Sequence, residues 1–283
     1  DPRHRRSLNL WLGRIYVQHA PNPTAAIGCY EEVLRVDEFN GEALGALDRL
    51  LTAEGRPGDL VRVLTKQLQQ ESGERAIALK FRIARLREQD LDDEEGALEL
   101  YREILWESPE HEGALERLEV LANNPDLREA AIAVIEPIFR QHERWPKVIG
   151  LLRLRAESAA RSNDRAQHFR RMGEIFERRL NDVPNAFECY AKSLADDPES
   201  ETLLREVLRI AEQQAMWPRL AIALEEALAQ AQGSDTTRNL QMQLGQLYQY
   251  RLRSSHKAEA HIKAVVAQNP DDGEALRLLE EIY

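Results

Sequence analysis

The segment Ala97-Leu-Glu-Leu-Tyr101-Arg-Glu-Ile-Leu105-Trp-Glu-Ser-Pro109 decides the fold. Ala97, Tyr101 and Leu105 recur at a spacing of four, which lines them up on one face of a helix. A small residue suits a place where another helix approaches closely, and the two large ones form a stripe that a neighbour must cover. Pro109 ends the run, because it has no N–H to donate and its ring clashes with the preceding turn. Ala114 and Leu118 then open the apolar face of the next helix, and Leu79, Ile83 and Leu86 make the stripe of the helix before.

The same columns return three more times. A Gly or Ala is followed 13 residues later by Ala in the pairs Gly13/Ala26, Ala84/Ala97, Gly173/Ala186 and Gly245/Ala258. Four residues on stand Tyr30, Tyr101, Tyr190 and Ile262, and eight on Leu34, Leu105, Leu194 and Val266. Further on come Ala43, Ala114, Leu203 and Ala275, then Leu47, Leu118, Val207 and Leu279. The preceding helix carries Leu8, Leu12 and Ile15 in the first copy and Leu240, Leu244 and Leu247 in the fourth. No stretch of strand length alternates with period two, so the chain reads as an all-helical repeat array.

Between the strong copies lies a weaker helix pair. Its later helix aligns Leu60 and Leu64, Val148 and Leu152, and Leu220 and Leu224, and opens twice with Trp-Pro, at Trp145-Pro146 and Trp217-Pro218. Proline fits the first helical turn. Ala26 to Ala97 spans 71 residues and Ala186 to Ala258 spans 72, but Ala97 to Ala186 spans 89. The surplus predicts one inserted helix near 126–141, opening on the capping-box spacing Asp126/Glu129 and kinked or broken at Pro137. About 16 helices are expected. They divide into an N-terminal arm (1–122), the insert (123–144) and a C-terminal arm (145–283), with a change of curvature across 123–145.

Leu12-Gly-Arg-Ile-Tyr16 and Leu244-Gly-Gln-Leu-Tyr248 resemble the L-G-x-x-Y core of the tetratricopeptide repeat, and Met172-Gly-Glu-Ile-Phe176 is a close variant. The downstream A-x-x-x-Y string and the proline eight residues after its tyrosine (Tyr101/Pro109, Tyr190/Pro198) are similar to that family's second helix and terminator. Two features depart from it. The tryptophan expected three residues before the leucine is Asn9, Lys80, Phe169 and Gln241 here, and the loop before the second helix is one residue longer. The alternating long and short copies, the Trp-Pro starts and the arginine bias are similar to large multi-repeat proteins of myxobacteria and their relatives. The resemblance implies an α-solenoid of helix hairpins wound in a right-handed superhelix. It also implies that the first helix of each hairpin lines a concave groove.

In that groove the residue after the small column points inward: Arg14, Arg85, Glu174 and Gln246. One turn later come Gln18, Gln89, Arg178 and Tyr250, and Arg170 stands a turn before Glu174. A basic, hydrogen-bonding groove suited to an acidic peptide is one expectation. A solvated face stitched by pairs such as Glu174/Arg178 is the other.

The net charge of −11 argues against nucleic acid, which needs a basic footprint. Arginine outnumbers lysine 32 to 6, as a GC-rich genome would produce. No apolar run approaches the length of a membrane span, and residues 1–20 carry no secretory signal pattern. Cys29 and Cys189 share one column as small fillers; equivalent positions two units apart do not pair. Two lone cysteines fit a reducing compartment such as the cytoplasm, while an excerpt of a periplasmic protein would read the same.

His111-Glu112 and His142-Glu143 lack the second histidine of a zinc-protease helix, and His256 and His261 are poorly spaced for a shared metal. Gly55-Arg-Pro-Gly58 is a turn rather than a phosphate loop. Asp92-Asp-Glu-Glu95 complements a helix start. No catalytic residue, cofactor or metal ligand set is assigned. The expected function is a non-enzymatic scaffold, a segment of a longer repeat protein that binds a protein or peptide. The rival is a regulatory or targeting region of a multidomain enzyme, such as a kinase, whose catalytic part lies elsewhere. The stripe Leu276, Leu279 and Ile282 on the last helix has no following partner, so self-association through uncapped ends is a further expectation.

Overall fold

The computed structural model describes residues 2–283, and among them there are 16 α-helices and no strand. They are α1 (Pro2–Gln18), α2 (Pro23–Val36), α3 (Gly41–Ala53), α4 (Pro57–Leu68), α5 (Glu74–Asp90), α6 (Glu94–Glu107), α7 (Glu112–Leu121) and α8 (Arg128–Gln141). Then follow α9 (Trp145–Ser158), α10 (Ser162–Arg178), α11 (Val183–Asp196), α12 (Glu201–Gln214) and α13 (Trp217–Gln230). The last are α14 (Ser234–Gln246, prolonged by a π turn over Leu247–Arg251), α15 (Ser255–Gln268) and α16 (Gly273–Ile282). No helix is long and apolar enough to cross a membrane among the described residues.

The strong copies are the hairpins α1/α2, α5/α6, α10/α11 and α14/α15. Their small columns are buried because the next helix crosses there. A Cβ on Gly13 would stand 2.7 Å from the Tyr30 ring and one on Gly173 2.8 Å from the Tyr190 ring, so glycine and tyrosine are one contact written in two columns. Ala26, Ala97, Ala186 and Ala258 are fully buried. One turn recurs at the head of the second helix. The N–H of Asn22, Asp93, Asp182 and Ser254 donates to the carbonyl six residues back, with Asp92, Asn181 and Arg253 left-handed at φ 51–52° in three of the four. The bond reaches one residue farther back than a Schellman closure and, like it, follows a left-handed residue at the helix end. The turn's last residue also caps the next helix at Asn22, Asp93 and Asp182, whose side chains accept the N–H three residues on.

The chain forms two compact units, Asp1–Ile138 and Phe139–Tyr283. In the first, Ala26, Tyr30, Val33, Ala43, Leu47, Leu51, Leu60, Leu64 and Ile83 form a continuous core. Leu10 and Tyr16 of α1 pack against it, whereas Leu8, expected in the stripe, is exposed. In the second, Tyr190, Leu194, Leu203, Val207, Leu220, Leu224, Leu240, Leu244 and Leu247 form another core. A smaller cluster of Met242, Ile262, Val265, Ala275 and Leu278 lies beside it.

The inserted helix is α8, and two details differ from expectation. It starts at Arg128, where the Leu127 carbonyl accepts the first helical bond, from Ala131. Asp126 therefore sits one residue outside the cap position, and Arg128 instead donates to the Ala122 and Asn123 carbonyls that end α7. Pro137 does not break the helix, which runs on to Gln141. On α16 the buried residues are Ala275 and Leu278; Leu279 and Ile282 are half-buried and Leu276 is exposed. Trp145-Pro146 and Trp217-Pro218 open α9 and α13 as expected.

Candidate partner-binding site

The first helices of the hairpins are α1, α3, α5 and α7 in one unit and α10, α12, α14 and α16 in the other. Successive members are tied by arginine–carboxylate clasps. From α1, Arg14 donates from Nε and Nη2 to both oxygens of Glu42 on α3, at 2.5 Å each. This hydrogen bonding holds the Glu42 carboxyl below its usual range. From α5, Arg82 donates to Asp48 on α3 at 2.9 and 2.6 Å and to the Thr52 hydroxyl at 2.9 Å. From α7, Arg117 donates to Glu88 on α5, with its Nε at 3.1 Å. The Glu88 side chain is only 5% exposed and also accepts from the Tyr101 hydroxyl at 2.8 Å. Burial, followed by this hydrogen bond, pushes the Tyr101 phenol well above its ordinary value, so it stays a proton donor.

The second unit repeats the scheme. Glu177 on α10 accepts from Tyr190 at 3.1 Å and from Arg209 of α12 at 2.6 Å. From α14, Arg238 donates to Asp272, the cap of α16, at 2.5 and 3.0 Å. Glu88 and Glu177 each stand four residues after the small column and 13 before the tyrosine. That shared offset is the signal by which the clasp carboxylates were readable, and the groove expectation passed them over.

Four of the expected groove residues line clefts, two in each unit. Arg14 and Gln18 line a cleft of about 280 Å³ with Val17, Glu42, Arg49 and Leu50. Farther along the same unit Arg85 donates to Gln89 at 2.9 Å, and its Nε is buried without a hydrogen-bond partner. In the second unit Gln246 and Tyr250 line a cleft of about 500 Å³ with Leu208, Glu212, Trp217 and Arg251. The π turn, closed by Leu252 N–H donating to the Leu247 carbonyl, brings Tyr250 and Arg251 together at this mouth. The Arg251 guanidinium lies 4.6 Å over the Trp217 ring and 3.9 Å from Glu212. Tyr250 donates to Glu281. Glu174 pairs with Arg170 at 3.4 Å rather than with Arg178, which is exposed. Ile132, Ile135 and Phe139 of the insert are fully buried and offer no apolar surface.

These groups can donate and accept hydrogen bonds along a chain laid over the helices. Cys29 and Cys189 are free thiols, and burial pushes Cys189 up to about 11.

No family model matches the sequence, and no curated protein does. Among solved structures the chain is similar to a tetratricopeptide repeat protein from Parabacteroides merdae, at 13% identity over 99% of each chain with a TM-score of 0.31. It is also similar to the C-terminal part of a TPR repeat-containing protein from Cytophaga hutchinsonii, at 14% identity over 99% of each chain with a TM-score of 0.29. A third likeness is to the TPR2AB-domain:pHSP90 complex of yeast Sti1, at 15% identity over 89% of this chain and 98% of that one, with a TM-score of 0.36. Scores this low do not establish a shared overall fold, so the repeat character rests on the chain's own hairpins and columns.

Proposed function

We propose that this chain is a non-enzymatic protein-interaction scaffold that takes a protein or peptide along the first helices of its hairpins. The observation that carries the reading is the cleft at Gln246 and Tyr250. It combines an apolar floor, amide groups and a stacked guanidinium, the mixture that binds an extended peptide's side chains and backbone together. The cleft at Arg14 and Gln18 lies between α1 and the following first helix α3, whereas that at Gln246 and Tyr250 lies between α14 and the preceding α12 and α13.

The clasps refine the chemistry of the partner. Arg14 and Arg170 already hold carboxylates, and Arg85 holds the Gln89 amide. An acidic residue in the partner is therefore best met by exposed Arg178 and by Arg251 with its long contact to Glu212. Pull-down from the native extract is the test, with wild type, R85E/R178E and Q246A/Y250A in parallel. Partners lost with either double variant support the reading. Partners kept by both would overturn it.

A further inference from the structure

The second helix of each hairpin turns its outer face to solvent, and on α6 that face carries Trp106, 89% exposed. Trp106 stands nine residues after Ala97, and nine after Ala26, Ala186 and Ala258 the other copies have Arg35, Ala195 and Ala267. The fold therefore makes no demand for an aromatic ring there, and a large apolar side chain left in water is without a folding role. The chain shows elsewhere what it sets against a half-exposed tryptophan. Arg179 lies 5.0 Å over the Trp145 ring and Arg251 4.6 Å over the Trp217 ring. Among the described residues no cation lies over Trp106.

The side chains around that ring fix the sign of the missing group. Glu95, Glu99, Arg102 and Glu103 are exposed along the same face, at helical spacings from Trp106. Arg102 pairs with Glu99, and Lys80 is shared between Glu103 at 2.9 Å and Glu107 at 2.8 Å. Four glutamates thus face two cations. The wider setting has the same sign, since residues 88–119 hold 13 carboxylates against two arginines. We infer that the outer face of α6 docks a basic, arginine-bearing segment of a partner. Its guanidinium stacks on Trp106 and pairs with Glu99 and Glu103, as a planar fork does better than a lysine ammonium. This face is distinct from the clefts on the first helices, and its partner has the opposite charge.

The experiment is fluorescence anisotropy of labelled nona-arginine, with nona-lysine alongside, titrated with the whole chain at about physiological salt. Nona-arginine binds more tightly than nona-lysine. W106A, which leaves the net charge unchanged, weakens the arginine peptide about fivefold, and E99Q/E103Q weakens both peptides. The exposed control pair E201Q/E226Q has little effect, and far-UV circular dichroism of W106A is that of wild type. Equal affinity in W106A and wild type would overturn the inference, as would equal weakening by the control pair. A dimer in sedimentation that W106A abolishes would give the face to a second copy and overturn the basic partner.

Discussion

Gly173 and Tyr190 meet at a single point, where a methyl group has no room: a Cβ would stand 2.8 Å from the ring. Gly173→Ala should cost about 1–3 kcal/mol in urea melts, as overpacking of a tight core does. Equal stability would mean that the α10/α11 crossing is looser than described. A second glycine column points the other way. The left-handed residue before the short copies' second helix is Gly55 in the first and Ala215 in the third, at φ 62° and 52°. Ala215→Gly should therefore stabilise by about 0.5–1 kcal/mol, because an alanine Cβ is strained there and glycine is not. Asp272 offers a pH test. Arg238, aided by the Ala275 N–H, holds its carboxyl at about 2. The ionised form thus stabilises the fold above the ordinary carboxylate range, and that contribution is lost as pH falls toward the lowered value. The stability gap between wild type and D272N, full at about pH 6, should begin to narrow below about pH 4 and close near pH 2. A gap independent of pH would rule out the ion pair as its source.

At the scale of the helices, the register was legible because it is written in residues that cannot be elsewhere. Ala97, Tyr101 and Leu105 are buried as their spacing demands, and so are Ala186, Tyr190 and Leu194. Ala186→Leu should cost about 1–3 kcal/mol for the same reason as the glycine change, and an unperturbed melt would place α11 in another register. The start of α8 was misread because Asp126 and Glu129 satisfy a spacing rule, whereas the Arg128 side chain, reaching back to the end of α7, decides where the helix begins. On α16 Leu278 is buried beside Met242 and Ile262, Leu279 and Ile282 of the expected stripe pack half-buried against the same cluster, and of that stripe only Leu276 is exposed. The groove was legible as positions but not as chemistry. Arg14 reads as a free donor until Glu42, 28 residues away, closes on it. Cysteine chemistry follows burial in the same way. Cys189, raised to about 11, should react with an aromatic disulfide at about pH 8 far more slowly than the less perturbed Cys29, since the thiolate is the reacting form. Equal rates would contradict the packing of α11.

On the scale of the whole molecule, an array whose hairpins contact mainly their neighbours need not unfold as one body. Tryptophans report on both units: Trp11 and Trp106 lie in Asp1–Ile138, Trp145 and Trp217 in Phe139–Tyr283. In a variant keeping only the second pair, Gly173→Ala should shift the denaturation midpoint, while a variant keeping only the first pair should shift less. Identical shifts would show that the two units melt together. The central claim is that the scaffold's groove partner lies on the first helices of the hairpins, and site-specific photocrosslinking in the native cells tests it most directly. A photoreactive residue is placed at Gln18, at Gln246, or at Ile222, which is exposed on the second helix α13. The account predicts that one partner is captured from Gln18 or Gln246 and not from Ile222. Capture from Ile222 alone would contradict it.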